Sequence, residues 1–177
     1  MRSLAALAVA LALTGCAAPS TARDAPANIP YRGIYDHPVA LVDGRFDGEP
    51  FAPGGASRPH VELVPQPRAS GDLDGDGVDE TAVLLIENSG GSAVNTYVAI
   101  VSTRGGRAEN VATRLIGDRV KVRSLAIRDG AVVLDFVGPG PGDPLCCPTA
   151  AMRAVLRLEG GSLVEVESRP LDGQPPR

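Results

Sequence analysis

The sequence predicts an all-β fold, arranged as a single antiparallel sheet domain that forms a sandwich, a curled sheet or a barrel. From residue 61 onward, short apolar runs alternate with turns rich in Gly, Asp and Asn, which is typical of antiparallel β-structure. No segment repeats along the chain, which argues against a propeller or a solenoid.

Individual runs have the residue types and spacing of strands. Residues 81–87 are nearly all apolar and β-branched, which predicts a strand buried on both faces. Asp129-Gly130 is a strong hairpin signal between two of the other runs. The segment that begins at Thr149 is expected to be a strand, although its good helix formers and a capping threonine also fit a helix. The remaining candidate strands cover residues 61–64, which Pro65 stops, and residues 96–103, 120–127, 131–137, 152–158 and 163–167.

The N-terminus has the layout of a secretory signal segment. A charged start precedes an apolar run of ten residues, Leu4–Leu13, whereas a bilayer-spanning helix needs about 20. The tetrapeptide Leu13-Thr14-Gly15-Cys16 follows directly and resembles the lipobox of bacterial lipoproteins. We therefore expect residues 1–15 to be a lipoprotein signal peptide and Cys16 to become the lipidated N-terminus. The alternative is a secreted protein that is cleaved near Ala17, with Cys16 incidental.

The rest of the chain divides into a tether, a domain and a tail. Residues 16–30 are rich in Ala, Pro, Ser and Thr, so they are expected to form a flexible tether. Residues 31–171 suit a single β-rich domain, and residues 172–177 suit a frayed tail. No Asp follows Cys16, which by analogy with enteric bacteria favours the outer membrane, facing the periplasm. The expected partners are the membrane and an envelope protein.

Composition excludes two common binding classes. The formal net charge is -4, and the 17 basic residues are scattered among acids, so the sequence has no nucleic-acid-binding footprint. The chain has no Trp and three residues each of Tyr and Phe, too few for an aromatic stacking platform.

The Asp-rich segment from residue 72 to residue 80 predicts a calcium loop that leads into a strand. Calcium prefers six to eight hard oxygen ligands. When positions are counted from Asp72, Gly77 occupies position 6, where calcium loops have a glycine for the sharp turn. Position 12 is Val83 rather than a bidentate Glu, so the loop is not an EF-hand. Clustered carboxylates also repel one another without a cation. We expect a structural calcium ion; the alternative is a solvated acidic turn. The candidate ligands are Asp72, Asp74, Asp76, Val78 and Glu80.

Cys146 and Cys147 remain as an adjacent pair once Cys16 is lipidated. They lie in a Gly- and Pro-rich stretch, residues 138–148, that predicts an irregular loop. Adjacent Cα atoms are about 3.8 Å apart, whereas disulfides prefer about 4.4–6.8 Å, so a bond between neighbours forms only with strain. We expect a vicinal disulfide in an oxidising compartment; the alternatives are two free thiols and a disulfide between chains.

The sequence offers little for acid–base catalysis. The two histidines, His37 and His60, adjoin prolines and are expected to be surface or turn residues. Residues 87–92 contain a serine beside glycine, but not the Gly-x-Ser-x-Gly spacing of a nucleophile elbow. We therefore expect no enzymatic activity. The alternatives are a calcium-dependent hydrolase with acid and base groups near Asp76 and Glu80, and a redox accessory module that uses the vicinal cysteines.

A combination of four motifs across residues 30–160 is similar to the LppP/LprE group of bacterial lipoproteins. The resemblance implies an extracytoplasmic location and a β-rich domain, and it carries no established enzymatic activity. The expected function is thus a non-enzymatic binding or structural role in the cell envelope. The motifs are the Asp-rich segment Asp72–Glu80, Glu87-Asn88-Ser89-Gly90-Gly91-Ser92, Gly117-Asp118-Arg119-Val120 and Gly142-Asp143-Pro144-Leu145-Cys146-Cys147-Pro148-Thr149.

Overall fold

The chain folds as three antiparallel sheets, which confirms the all-β prediction. The computed structural model describes residues 25–144 and 146–171. A short 3-10 helix, Ala25–Asn28, precedes the first strand. The strands are β1 Pro30–Tyr31, β2 Val39–Ala40, β3 Arg45–Asp47, β4 His60–Gly71, β5 Glu80–Asn88, β6 Asn95–Arg104, β7 Arg107–Asp118, β8 Lys121–Arg128, β9 Ala131–Gly138, β10 Ala150–Glu159 and β11 Ser162–Pro170.

The two larger sheets are meanders that face each other. One has the strand order β3-β4-β5-β6-β7, and the other has the order β11-β10-β9-β8. Strand β8 packs against β4, and strand β11 packs against β7, so the sheets meet along both sides. The pair β1-β2 is separate and lies in the N-terminal segment.

The main core lies between the two larger sheets. It is formed by alternate residues of the facing strands, because successive side chains of a strand point to opposite faces. Burying one Leu or Ile side chain contributes about 1.5–3 kcal/mol. The buried residues are Leu73, Ala82, Leu84, Val98, Ile100, Ala112, Leu125, Val132, Leu134, Ala154, Leu156 and Leu163.

A second core covers the opposite face of the five-stranded sheet. The intervening residues of β5 and β6, such as Val83 and Ala99, pack there against Tyr31 and Val39 of the N-terminal segment. Strand β5 is therefore buried on both faces, as the sequence predicted. The folded part starts earlier than the predicted boundary at residue 31, because Ile29 is only 8% exposed within this core.

Two-residue turns connect three of the hairpins. Their turn residues all have φ between 51° and 80°, as a type I′ turn requires. Asp129-Gly130 is one of them, and it joins β8 to β9 as predicted. The other two turns are Gly105-Gly106 and Gly160-Gly161.

The structure confirms the strand expected after Thr149, extends one strand beyond its predicted end and adds one strand that was not predicted. The helix considered from Thr149 is absent, because β10 pairs with both β9 and β11 and this pairing overrides helix propensity. Strand β4 continues past Pro65, where the sequence predicted that it would stop. Pro65 lies within the register shift between β4 and β5, and β3 pairs only with residues 60–62 of β4. No hydrogen bond of the sheet therefore requires the backbone N–H that proline lacks. Strand β7 was not predicted, because polar residues such as Asn110 and Arg114 interrupt its apolar alternation.

Candidate functional site

The Asp loop, residues 72–80, joins β4 to β5 and wraps around the carboxylate of Asp72. Oδ1 of Asp72 accepts a hydrogen bond from the Gly75 amide at 2.7 Å, and Oδ2 accepts one from the Gly77 amide at 3.0 Å. Both glycines have positive φ, 80° and 83°, which L side chains rarely adopt. These amide hydrogen bonds lower the pKa of Asp72, so its carboxylate is ionised at neutral pH.

Glu80 closes the loop from the inside. Its side chain is only 1% exposed, and a carboxylate this buried needs hydrogen-bond donors. Oε2 accepts the amide of Leu73 at 3.1 Å, and Oε1 accepts the hydroxyl of Ser102 at 3.1 Å. Leu73 itself packs in the main core. Glu80 therefore ties the exposed loop to the buried part of the sandwich.

Three carboxylates of the loop converge. Asp72, Asp74 and Glu80 each offer an oxygen, and these oxygens lie within 4.8 Å of one another. This group can hold a metal ion, and its donors are all hard oxygens. Such donors suit calcium, magnesium and manganese rather than soft thiophilic metals.

Two of the predicted ligands, Asp76 and Val78, make other contacts in the structure. Asp76 lies outside the converging group, and its Oδ2 accepts a short hydrogen bond from Nη2 of Arg104. The same Arg104 nitrogen donates to Oδ2 of Asp74 at 3.0 Å. Val78, expected to contribute its carbonyl, is engaged through its amide, which donates to Oδ1 of Asp76 at 2.8 Å. A guanidinium therefore occupies the outer side of the loop.

Arg104 was not identified from the sequence, because its contact depends on strand register. Strand β6 runs antiparallel to β5, with Thr81 opposite Val101, so the end of β6 reaches the loop that precedes β5. Nothing local to Arg104 indicates this contact. A cavity of about 250 Å³ adjoins the site, lined by Asp74, Ser102, Arg104, Arg107, Glu109 and Val111.

Strand β5 carries a second buried carboxylate, Glu87, near its other end. Glu87 is 2% exposed, and it accepts hydrogen bonds from the Tyr35 hydroxyl at 2.8 Å, the Asn95 amide at 2.7 Å and the Ser89 hydroxyl. Burial, and then the hydrogen bond to Glu87, raise the pKa of Tyr35 well above its usual range. Glu87 thus fastens the N-terminal segment to the sheet, a role that the sequence did not indicate.

Cys146 and Cys147 lie in the loop between β9 and β10, joined by a vicinal disulfide with Cα atoms 3.8 Å apart. Both residues are exposed. Asp143 holds this loop together, since its carboxylate accepts the amides of Gly140 and Thr149, each at 2.7 Å. These hydrogen bonds lower the pKa of Asp143.

Neither histidine reaches the Asp loop. His60 begins β4, whereas the Asp loop follows the other end of that strand, and Nδ1 of His60 lies 2.8 Å from Oδ1 of Asp47. His37 stacks on Tyr35 with ring centroids 5.6 Å apart, and Tyr35 contacts Glu87 at the far end of β5. Within residues 25–144 and 146–171, imidazole and the converging carboxylates therefore stay apart.

Comparisons with known proteins found no matching family, no similar curated protein and no similar solved structure. The similarity to the LppP/LprE group therefore stays a prediction. Cys16, the predicted lipidation site, lies outside the described residues. The part of the chain that the structure describes contains no helix long and apolar enough to cross a membrane.

Proposed function

We propose that this chain is a lipid-anchored, non-enzymatic lipoprotein of the bacterial cell envelope, held at the membrane by Cys16 and stabilised by calcium at the Asp loop. The observation that carries the calcium part is the convergence of Asp72, Asp74 and Glu80 oxygens within 4.8 Å. The anchor is supported by the lipobox-like tetrapeptide directly after the apolar run. The domain serves a binding or structural role on the periplasmic side of the outer membrane.

Calcium is the preferred ion because of the ligand type and the exposure of the loop. Three carboxylate oxygens leave several positions for backbone carbonyls and water, which calcium accepts in a flexible geometry of six to eight ligands. Magnesium demands near-ideal octahedral geometry and dehydrates reluctantly. We expect a dissociation constant of ~10⁻⁴ to 10⁻³ M, the range of extracellular calcium modules.

Thermal unfolding in chelator and then in 1 mM calcium tests this site. At a dissociation constant of ~10⁻⁴ M, ligand linkage stabilises the fold by about 1.4 kcal/mol. That raises Tm by about 3–6 °C in a domain of this size. The double variant Asp72→Asn/Asp74→Asn should lose the shift, whereas Asp79→Asn, an exposed loop acid outside the converging group, should keep it. Identical melting curves in chelator and calcium would refute the site.

The anchor is tested separately by metabolic labelling with a palmitate analogue. The full-length chain should incorporate the label and fractionate with membranes. Cys16→Ser should lose both properties. A labelled Cys16→Ser chain, or an unlabelled chain of the natural sequence, would contradict lipidation at this residue.

The exposed vicinal disulfide favours a second candidate, a redox accessory module. A catalytic disulfide has a reduction potential near that of thiol oxidoreductases, about -120 to -270 mV, whereas structural disulfides lie below about -300 mV. Equilibration of the protein with glutathione buffers, followed by alkylation and intact-mass measurement, separates these two ranges. A structural potential would leave the binding or structural role as the proposal.

A further inference from the structure

Asp-Gly pairs are positions at which a protein backbone rearranges spontaneously near neutral pH. The amide nitrogen of the glycine bonds to Cγ of the aspartate, and the amide hydrogen and the carboxyl hydroxyl leave as water, which produces a cyclic succinimide. Glycine favours this attack because it has no Cβ to crowd the nitrogen. Water then opens the ring at either carbonyl and leaves aspartate or isoaspartate. Among the described residues, Asp is followed directly by Gly at positions 43, 47, 74, 76 and 129.

The two Asp-Gly pairs of the Asp loop are guarded by the carboxylate of Asp72. The nitrogens that would attack are those of Gly75 and Gly77, and both donate to Asp72, at 2.7 Å and 3.0 Å. The two carboxylates that they would attack accept hydrogen bonds from the Arg104 guanidinium. Each reaction therefore requires the loss of a contact on the nitrogen and of another on the carboxylate.

Two further Asp-Gly pairs are guarded by backbone carbonyls. The Gly44 amide donates to the carbonyl of Ala27 at 2.8 Å, and Gly44 is buried. The Gly48 amide donates to the carbonyl of Pro59, also at 2.8 Å. Neither nitrogen can turn towards the preceding aspartate until its hydrogen bond breaks. The fold therefore opposes succinimide formation at both positions.

The pair Asp129-Gly130 has no such guard among residues 25–144 and 146–171. The Gly130 amide donates no hydrogen bond to any of them, and the Asp129 carboxylate forms no ion pair with them. A Cβ placed on Gly130 would have no heavy atom within 4 Å, so the space beside it is open. Asp43-Gly44 forms nearly the same turn, with φ of 50° and 80° against 51° and 67°. The two turns thus differ in the contact that holds the nitrogen rather than in backbone shape.

We propose that Asp129 is the position at which this protein converts to isoaspartate, while the fold protects the other four described Asp-Gly pairs. Local opening at the end of the β8–β9 hairpin brings the Gly130 nitrogen to Cγ of Asp129, and no hydrogen bond of that nitrogen opposes the movement. Hydrolysis then breaks the original bond between the Asp129 carbonyl carbon and the Gly130 nitrogen. The chain continues through Cγ, so the backbone of the turn is longer by one methylene group.

The longer turn affects the sheet because its two residues set the register of β8 against β9. Arg128 pairs with Ala131 across the turn, and Ile127 pairs with Val132 of the main core. A two-residue turn fixes this register, and an extra backbone carbon misaligns it. Isomerised chains should therefore unfold at a lower urea concentration than unmodified chains.

The proposal is tested by ageing the purified chain at neutral pH in chelator, in one sample folded and in another unfolded by guanidinium chloride. Peptide mapping with electron-transfer fragmentation locates and counts isoaspartate at each position. In the folded chain, isoaspartate should accumulate at Asp129 about five-fold faster than at Asp43, the ratio that one additional amide hydrogen bond supports. In the unfolded chain, the two rates should become similar, because the fold no longer holds either nitrogen.

Two variants separate the site from its guards. Asp129→Glu should abolish the product at that position, because glutamate must close a larger ring. Asp72→Ala should raise isoaspartate at positions 74 and 76 while the rate at Asp129 stays unchanged; if it does not, Asp72 does not guard the loop. Equal or slower accumulation at Asp129 than at Asp43 in the folded chain overturns the proposal, and so does a ratio that unfolding leaves unchanged. Because every sample contains chelator, these outcomes do not depend on the proposed calcium site.

Discussion

Glu80 is expected to be the most stability-sensitive residue of the Asp loop, even without metal. Replacing it by Ala leaves the Leu73 amide and the Ser102 hydroxyl buried without their acceptor. Each unsatisfied buried donor costs about 1–3 kcal/mol, so losing the acceptor of both donors through Glu80→Ala should destabilise the fold by about 2–6 kcal/mol. Because the loss concerns hydrogen bonds inside the protein, it should be present in chelator.

Urea unfolding in chelator measures this effect. With an m-value of about 1–3 kcal/mol per M, the unfolding midpoint should fall by ~1–2 M or more at unchanged m. Asp79→Ala is the matched control, since Asp79 precedes Glu80 and is exposed. If Glu80→Ala and Asp79→Ala shift the midpoint equally, Glu80 is not the buried acceptor that the structure describes, and its place in the metal group is also in doubt.

Three further predictions concern other pairs of residues. Arg153 lowers the pKa of Asp135 in the folded state, so the pair stabilises the fold above the unfolded-state pKa of about 3.9, and this stabilisation is lost as the pH falls through the lower folded-state pKa. Asp135→Asn should therefore reduce the pH dependence of the free energy of unfolding in this pH range, as measured by circular dichroism. Tyr35→Phe removes one donor from buried Glu87 and should destabilise the fold by about 1–3 kcal/mol in urea, with no effect of calcium on the difference. Arg104→Gln removes the guanidinium that competes for the loop and should strengthen calcium binding in a calorimetric titration; an unchanged or weaker affinity would show that Arg104 does not compete.

The sequence predicts best those elements that depend on local chemistry. Asp129-Gly130 has positive φ at both residues, as a two-residue hairpin turn requires, so β8 and β9 could be paired from the sequence. The run 81–87 is apolar at successive positions, which only a strand covered on both faces tolerates. Asp72 and Asp74 were identified because closely spaced carboxylates and glycines are themselves the signal for a cation loop.

The elements that escaped prediction depend on contacts distant in sequence. Strand β7 has partly buried polar residues on its faces, so its strand character comes from pairing with β6. The covering of β5 by the N-terminal segment depends on Glu87 and Tyr35, which are 52 residues apart. Arg104 reaches Asp76 from 28 residues away. None of these pairings leaves a periodic or local pattern that a reading of the sequence could detect.

The geometry of the Asp loop also explains why its proposed calcium affinity is weak. An arriving ion must share Glu80 with two existing hydrogen bonds, and it must draw Asp74 away from Arg104. Both adjustments oppose binding, because the carboxylates are already partly compensated before the ion arrives. The same arrangement keeps the loop folded when calcium is low, since Asp72 remains closed around the Gly75 and Gly77 amides. Calcium is therefore expected to raise the stability of a loop that already has its shape, rather than to fold it.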